Sequence, residues 1–179
     1  MPHYYLDIET TGLDENKDEI ITIQYQKISV LTGEPIGPLV ILKAWEYGEE
    51  NIVKEIAALM SGDPWEFVPV GNNLTFEFKF LAVKFRKYLD KEISMEYFVT
   101  RPHIDLKPVM ILANGGKFKG CHLVLGKKGS GANVPIWYKE GRFDLIEDYV
   151  IDEADCFMEF NMQAQKILGQ KFGGINHEN

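Results

Sequence analysis

The segment YYLDIETTGL, residues 4–13, sets the terms for the rest of this chain. It reads as a β-strand running into a glycine turn at Gly12. Side chains alternate along a strand, so Leu6 and Ile8 share one face while Asp7 and Glu9 share the other. Two carboxylates this close repel each other, and withdrawing them from water adds to the cost. A strand of this kind needs a compensating cation, or an end open to water.

Further along, DEIITIQYQKISV alternates and is rich in β-branched residues, LTGEPIG has turn chemistry, and PLVILKAW returns as a third strand, giving an early meander. EENIVKEIAALM carries Ile52, Val53, Ile56, Leu59 and Met60 at helical spacing, with Gly62 and Pro64 to stop it. FVPVGNN predicts a short buried strand, and LTFEFKFLAVKFRKYLDK a long helix after it. RPHIDLKPVMIL predicts a strand passing into a helix, and the Gly- and Lys-rich stretch after it predicts loops around short elements. A helical pattern returns from Leu145 to Leu168. We expect a single domain over residues 1–170, since no Pro/Gly/Ser-rich linker divides it, with residues 171–179 as a loose tail.

Composition narrows the class. A hydrophobic content of 45%, with eleven Phe, eight Tyr and three Trp, supports a packed core, and no apolar run approaches the roughly 20 residues of a membrane span. No basic start with an apolar stretch behind it opens the chain, and Cys121 and Cys156 are too few for a disulfide framework, so the expected location is cytoplasmic, with no membrane partner. The formal charge of −8 argues against a phosphate-binding partner. Its distribution does not: residues 101–142 hold eight cations (Arg101, Lys107, Lys117, Lys119, Lys127, Lys128, Lys139, Arg142) against Asp105 and Glu140, a net +6. That stretch is either a solvated loop or a surface that tracks phosphates, with Lys117 and Lys119 among its contacts.

Two further segments place acids where they can join the strand. Tyr149 and Glu153 lie four apart on the last helix and share a face. Asn73 and Glu77 are also four apart, with Glu77 at a helix N-terminus, whose partial positive charge tolerates an acid. Converging carboxylates from these elements would be reconciled by divalent cations with oxygen ligands. Alternatives stand beside this reading: Glu77 as a mere helix-start charge, Tyr149 as a core tyrosine, and Asp152 and Asp155 as other acids on the same helix, read as solvated. His103, Cys121, His122 and Cys156 lack zinc-ligand spacing, and GKKGSG lacks the spacing of a nucleotide-binding loop.

In order, these segments resemble the three motifs of the DnaQ-like 3′→5′ exonucleases of the tyrosine type. LDIETTGL matches D-x-E-T-x-G-L with Asp7, Glu9, Thr10, Gly12 and Leu13. GNNLTFEFKFL resembles the second motif with Asn73 and Phe76 in place and Glu77 where the family has Asp. YVIDEADCFMEF resembles Y-x-x-x-D-A with Tyr149 and Ala154 matching and Glu153 in place of Asp. HIDL, residues 103–106, looks like a segment common between the second and third motifs.

The resemblance implies a ribonuclease H-like three-layer α/β fold, a central mixed five-stranded sheet flanked by helices. It implies hydrolysis of phosphodiester bonds at single-stranded DNA or RNA 3′ ends with two Mg²⁺ or Mn²⁺ ions. Asp7 would bridge them, Glu9 and Glu153 would hold one, Glu77 would support the other through water, and Tyr149 would orient the attacking water. Thr10, Gly12, Leu13, Asn73 and Phe76 fall at positions that meet the terminal nucleotide, Leu13 as an apolar wedge. A homo-oligomer, or a polymerase or repair partner, is compatible with the family. Each Glu-for-Asp exchange adds a methylene, about 1.5 Å of reach. The rival expectation is therefore a catalytically weak or inactive module of the same fold that binds nucleic acid or protein.

Overall fold

In the computed structural model, residues 1–90, 93–119, 124–126 and 129–171 are described. Five strands form one sheet: β1 (His3–Thr10), β2 (Ile20–Ile28), β3 (Val40–Lys43), β4 (Val68–Gly71) and β5 (Ile104–Asp105). Their order across the sheet is β3-β2-β1-β4-β5. β1 pairs antiparallel with β2, and β2 with β3, as expected of strands joined by short turns. β4 lies parallel to β1, and β5 parallel to β4, after helical crossovers. The strand that carries the two acids is therefore the central one.

The helices are α1 (Ala44–Tyr47), α2 (Glu49–Met60), α3 (Thr75–Leu89), α4 (Met95–Val99), α5 (Lys107–Ala113), α6 (Val134–Lys139) and α7 (Phe143–Lys171). Leu6 and Ile8 of β1 pack with Ile23 of β2, Ile56 of α2 and Phe78, Leu81 and Phe85 of α3. On the opposite side Tyr5 and Val70 pack with Met110 of α5 and Ala154, Phe157 and Met158 of α7. A third cluster joins Ile21, Val134, Ile146, Tyr149 and Val150, and so seats α6 and α7 beside β2. The result is a mixed five-stranded sheet between two helical layers, the expected ribonuclease H-like arrangement. Each large aliphatic side chain so buried contributes about 1.5–3 kcal/mol, which makes these clusters the main support of the site.

Several local expectations are corrected. PLVILKAW leaves the sheet at Lys43, and Ala44 and Trp45 turn into α1, where Trp45 stacks on Phe143 with ring centroids 4.7 Å apart. On α2 the buried stripe uses Ala57 and leaves Leu59 exposed, because the face turned to the sheet runs through 52, 53, 56, 57 and 60. The strand read in RPHIDLKPVMIL shrinks to two residues, since Asp105 stops it by accepting from the Lys107 amide at the start of α5. α7 continues to Lys171, and the rest of the expected tail lies outside the described residues, as do Cys121, His122, Lys127 and Lys128. No helix among the described residues is long and apolar enough to cross a membrane.

Candidate active site

The register of β1 on β2 sets out the acidic face residue by residue. Asp7 lies opposite Gln24 and Glu9 opposite Thr22. Gln24 and Thr22 are wholly buried and joined by a 3.0 Å hydrogen bond from Gln24 Nε2 to Thr22 Oγ1, so the floor under the acids is polar. A bulge between Glu9 and Thr10 shifts the register past Ile21, which belongs to the same apolar cluster as Tyr149. α7 then crosses this face and brings Glu153 to the strand. Carboxylate oxygens of Asp7, Glu9 and Glu153 lie within 4.8 Å of one another.

Glu77 enters from another direction. It stands in the first turn of α3, beyond the carboxyl ends of the parallel strands β1 and β4, where open α/β sheets place their ligands. It lines the same cleft but is not one of the three clustered acids. Its side chain is buried, and Oε2 has no hydrogen-bond partner among the described residues. Burial, joined by the charges of Asp7, Asp105 and Glu153, pushes its carboxyl well above the usual carboxylate range. The turn before α3 is tied down separately. Asn73 sits at φ 69°, its amide donates to Asp105 Oδ1 at 2.9 Å, and its own Oδ1 accepts from Lys107 Nζ at 2.6 Å. Asn73 thus shapes the turn that aims Glu77, and Asp105, met in HIDL without an assigned role, is its anchor.

Tyr149 closes the site. Its hydroxyl is hydrogen-bonded to Glu153, and burial together with the charges of Glu153 and Glu9 keeps it neutral throughout the ordinary pH range. A phenol that donates its one proton to a carboxylate keeps its oxygen as an acceptor, so it can orient a water. The end of GKKGSG, residues 129–131, set aside in the sequence as lacking the spacing of a nucleotide-binding loop, packs directly over it. A Cβ on Gly129 would stand 2.9 Å from the Tyr149 ring, and one on Gly131 would stand 3.2 Å from its hydroxyl and 3.6 Å from Glu9 Oε2. These glycines let the backbone approach where any side chain would fill the space. The sequence signal was the pair of glycines ahead of α6, legible only once the neighbour was known.

The cleft so formed has a volume of about 440 Å³. Its walls include Thr10, Gly12, Leu13 and Phe76 of the expected substrate contacts, along with Ala132 and Pro135, which sequence reasoning did not single out. Leu13 is 83% exposed at the mouth. Lys117 and Lys119 are not among the lining residues. They belong to the turn past α5, where Asn114 Nδ2 holds both their carbonyls, at 2.8 and 3.0 Å. Other cations of the basic stretch have partners in the fold. Arg101 donates to Tyr97 Oη and the Met60 carbonyl, and Arg142 pairs with Asp144. Asp152 and Asp155 stay outside the acidic cluster.

Three oxygens within 4.8 Å and a buried Glu77 Oε2 without a hydrogen-bond partner among the described residues fit hard divalent cations, which take carboxylate oxygens and remove the repulsion among them.

A five-stranded mixed sheet with acids on its central strand is the arrangement of the ribonuclease H-like fold. A family model described as RNase_H superfamily matches residues 4–140, and the chain belongs to that superfamily. No curated protein matches it. Among solved structures it resembles exonuclease I in its apo form, with a TM-score of 0.51 and 14% identity over 67% of this chain and 32% of that one. Similar values hold for exonuclease I from Methylocaldum szegediense, with a TM-score of 0.51 and 16% identity over 67% and 31%. For E. coli exonuclease I in complex with a dT13 oligonucleotide the TM-score is 0.51 and the identity 12%, over the same shares. The chain spans about a third of the length of these exonuclease I chains.

Proposed function

We propose that this chain is a metal-dependent 3′→5′ exonuclease of the DnaQ-like type acting on single-stranded DNA or RNA. The observation that carries it is the cluster of Asp7, Glu9 and Glu153, with carboxylate oxygens within 4.8 Å of one another in a cleft whose mouth is lined by Leu13 and Phe76. The fold likeness to an exonuclease I seen with dT13 supports a single-stranded substrate. Asp7, Glu9 and Glu153, with Glu77 as the fourth acid, would hold two Mg²⁺ or Mn²⁺ ions, which when bound lower the pKa of water and offset charge on the phosphate.

The residues' own roles follow from their places. Tyr149, kept neutral, gives its one O–H proton to Glu153, and its hydroxyl oxygen accepts from the attacking water and so orients it. Phe76 and Leu13 offer apolar surface to bases, which stack on any flat or apolar face regardless of sequence. The wall at Gly131 keeps clear the space beside Glu9 and Tyr149 in which a scissile phosphate must fit. Glu77, set apart from the three clustered acids, is the observation that favours the second reading, a module that binds nucleic acid without efficient turnover.

Release of mononucleotides from a 3′-end-labelled oligonucleotide with Mn²⁺ or Mg²⁺ tests both. Turnover by the wild type that falls at least ~10³-fold in Asp7→Ala is the expected outcome. Glu77→Asp and Glu153→Asp then each lower turnover, because this backbone is fitted to the longer acids. No metal-dependent release by the wild type or the Glu77→Asp/Glu153→Asp double variant, on DNA and RNA alike, leaves the binding module as the better account.

A further inference from the structure

A second charged cluster lies away from the cleft, and the function so far makes no use of it. Lys84, on α3, is a lysine whose side chain is only 4% exposed. Its Nζ reaches Glu49 Oε1 at 2.9 Å and the main-chain carbonyl of Asp18 at 2.6 Å. Glu49 is the first residue of α2, its side chain 9% exposed. It also accepts from the Ile20 amide at 2.8 Å and from the Tyr88 hydroxyl. Burial alone would raise the Glu49 carboxyl, but the hydrogen bonds from Tyr88, Ile20 and Lys84 outweigh it and hold the group below the usual range.

A buried ion pair is poor at adding stability compared with apolar residues of the same volume, so its retention calls for a geometric reason. The geometry supplies one. Both members grip the backbone where loop 11–19 returns to the sheet: Lys84 takes the carbonyl of Asp18, Glu49 the amide of Ile20. Asp18 passes the constraint on. Its carboxylate accepts from the Asp14 amide at 2.8 Å and from Thr11 Oγ1 at 3.4 Å, and it lies so close to Gly12 that a Cβ there would overlap it. Thr11 and Glu19 close the loop with two further bonds of 2.9 Å. Leu13 therefore stands between Asp14, whose amide Asp18 holds, and Gly12, which lies against the Asp18 carboxylate. Lys84 also lies seven positions from Glu77 on α3, on the same buried face and about 10 Å along the axis.

We infer that Lys84, paired with Glu49, is a positioning residue that sets Leu13 over the acidic cluster, so that one rigid helix carries both an acid of the site and the anchor of its substrate-facing loop. This rests on the exonuclease reading, in which Leu13 meets the terminal nucleotide.

The test uses the full chain with the double variant Lys84→Met/Glu49→Gln, which removes both charges and so leaves no buried ion alone. Gln also keeps an acceptor for the Ile20 amide. Leu13→Ala and the triple variant complete a cycle. Amide hydrogen exchange is expected to rise about tenfold at Thr11 and Asp18 in the double variant, while β1 stays protected. KM for a 3′-labelled strand is expected to rise about tenfold with kcat within about twofold, and adding Leu13→Ala to change KM by less than about twofold more. Unchanged exchange in the loop overturns the inference. So do unchanged KM, or effects of Lys84 and Leu13 that multiply independently. A wild type that releases no nucleotide removes the exonuclease reading instead, and the exchange measurement then still decides whether Lys84 anchors the loop.

Discussion

The two faces of β1 are built from the same eight residues and do opposite things. On one face Leu6 and Ile8 are 1% and 4% exposed and packed by α2 and α3. On the other, Asp7 and Glu9 face a third acid across a cleft, above a buried Gln24 whose Oε1 has no hydrogen-bond partner among the described residues. The first face gains free energy by leaving water. The second loses it, and holds its shape only because the first is secure. Strand alternation makes this separation possible within a single segment, since neighbouring residues never share an environment.

The sharpest test of that contrast replaces adjacent residues. Leu6→Ala should lower unfolding stability by about 3 kcal/mol, through lost transfer energy and the cavity left behind, with kcat of the folded fraction unchanged. Asp7→Ala should leave the metal-free protein as stable as the wild type or more so, because it relieves repulsion within the acidic cluster. Chemical denaturation of the two variants checks it, and a comparable loss of stability in both would erase the distinction between the faces.

A smaller effect concerns protons. The Glu77 carboxyl is raised in the fold, so as pH climbs from its ordinary 4.5 through the raised value the unfolded chain releases its proton first. The native state then binds more protons than the unfolded state, and stability falls with rising pH across that window. Metal-free protein should accordingly melt higher at pH 6 than at pH 8. Glu77→Gln should flatten this slope and raise Tm at pH 8 by roughly 3 °C, and millimolar Mn²⁺ should flatten it in the wild type by binding the ionised form. Thermal melts in EDTA and in Mn²⁺ read all three.

The smallest effect belongs to the basic stretch. Lys117 and Lys119 lie outside the cleft walls, so Lys117→Ala/Lys119→Ala should leave kcat unchanged. If their turn touches the strand's phosphates, the variant should also reduce the salt slope of binding by about one to two. Fluorescence anisotropy against salt concentration distinguishes that from a solvated loop, which would leave the slope untouched.

Much of this was readable from the residues. Asp7 and Glu9 had to share a face because a strand has period two, and Tyr149 and Glu153 had to share one because a helix brings i and i+4 together. The bounds of α2 and the three-strand opening followed from apolar periodicity and turn residues. What the sequence could not set were relations between distant segments. The closeness of Gly131 to Tyr149, the grip of Asp105 on Asn73, and the reach of Lys84 to the Asp18 carbonyl join residues 18, 32 and 66 positions apart. Nothing local to GSG, HIDL or the middle of α3 announces a partner, since side-chain alternation and helical periodicity describe one element at a time. Packing of the helical layers on the sheet chose those partners. The same packing held Glu77 apart from the three clustered acids while keeping it in their cleft, because where a helix N-terminus stops relative to a strand is decided by the side chains between them.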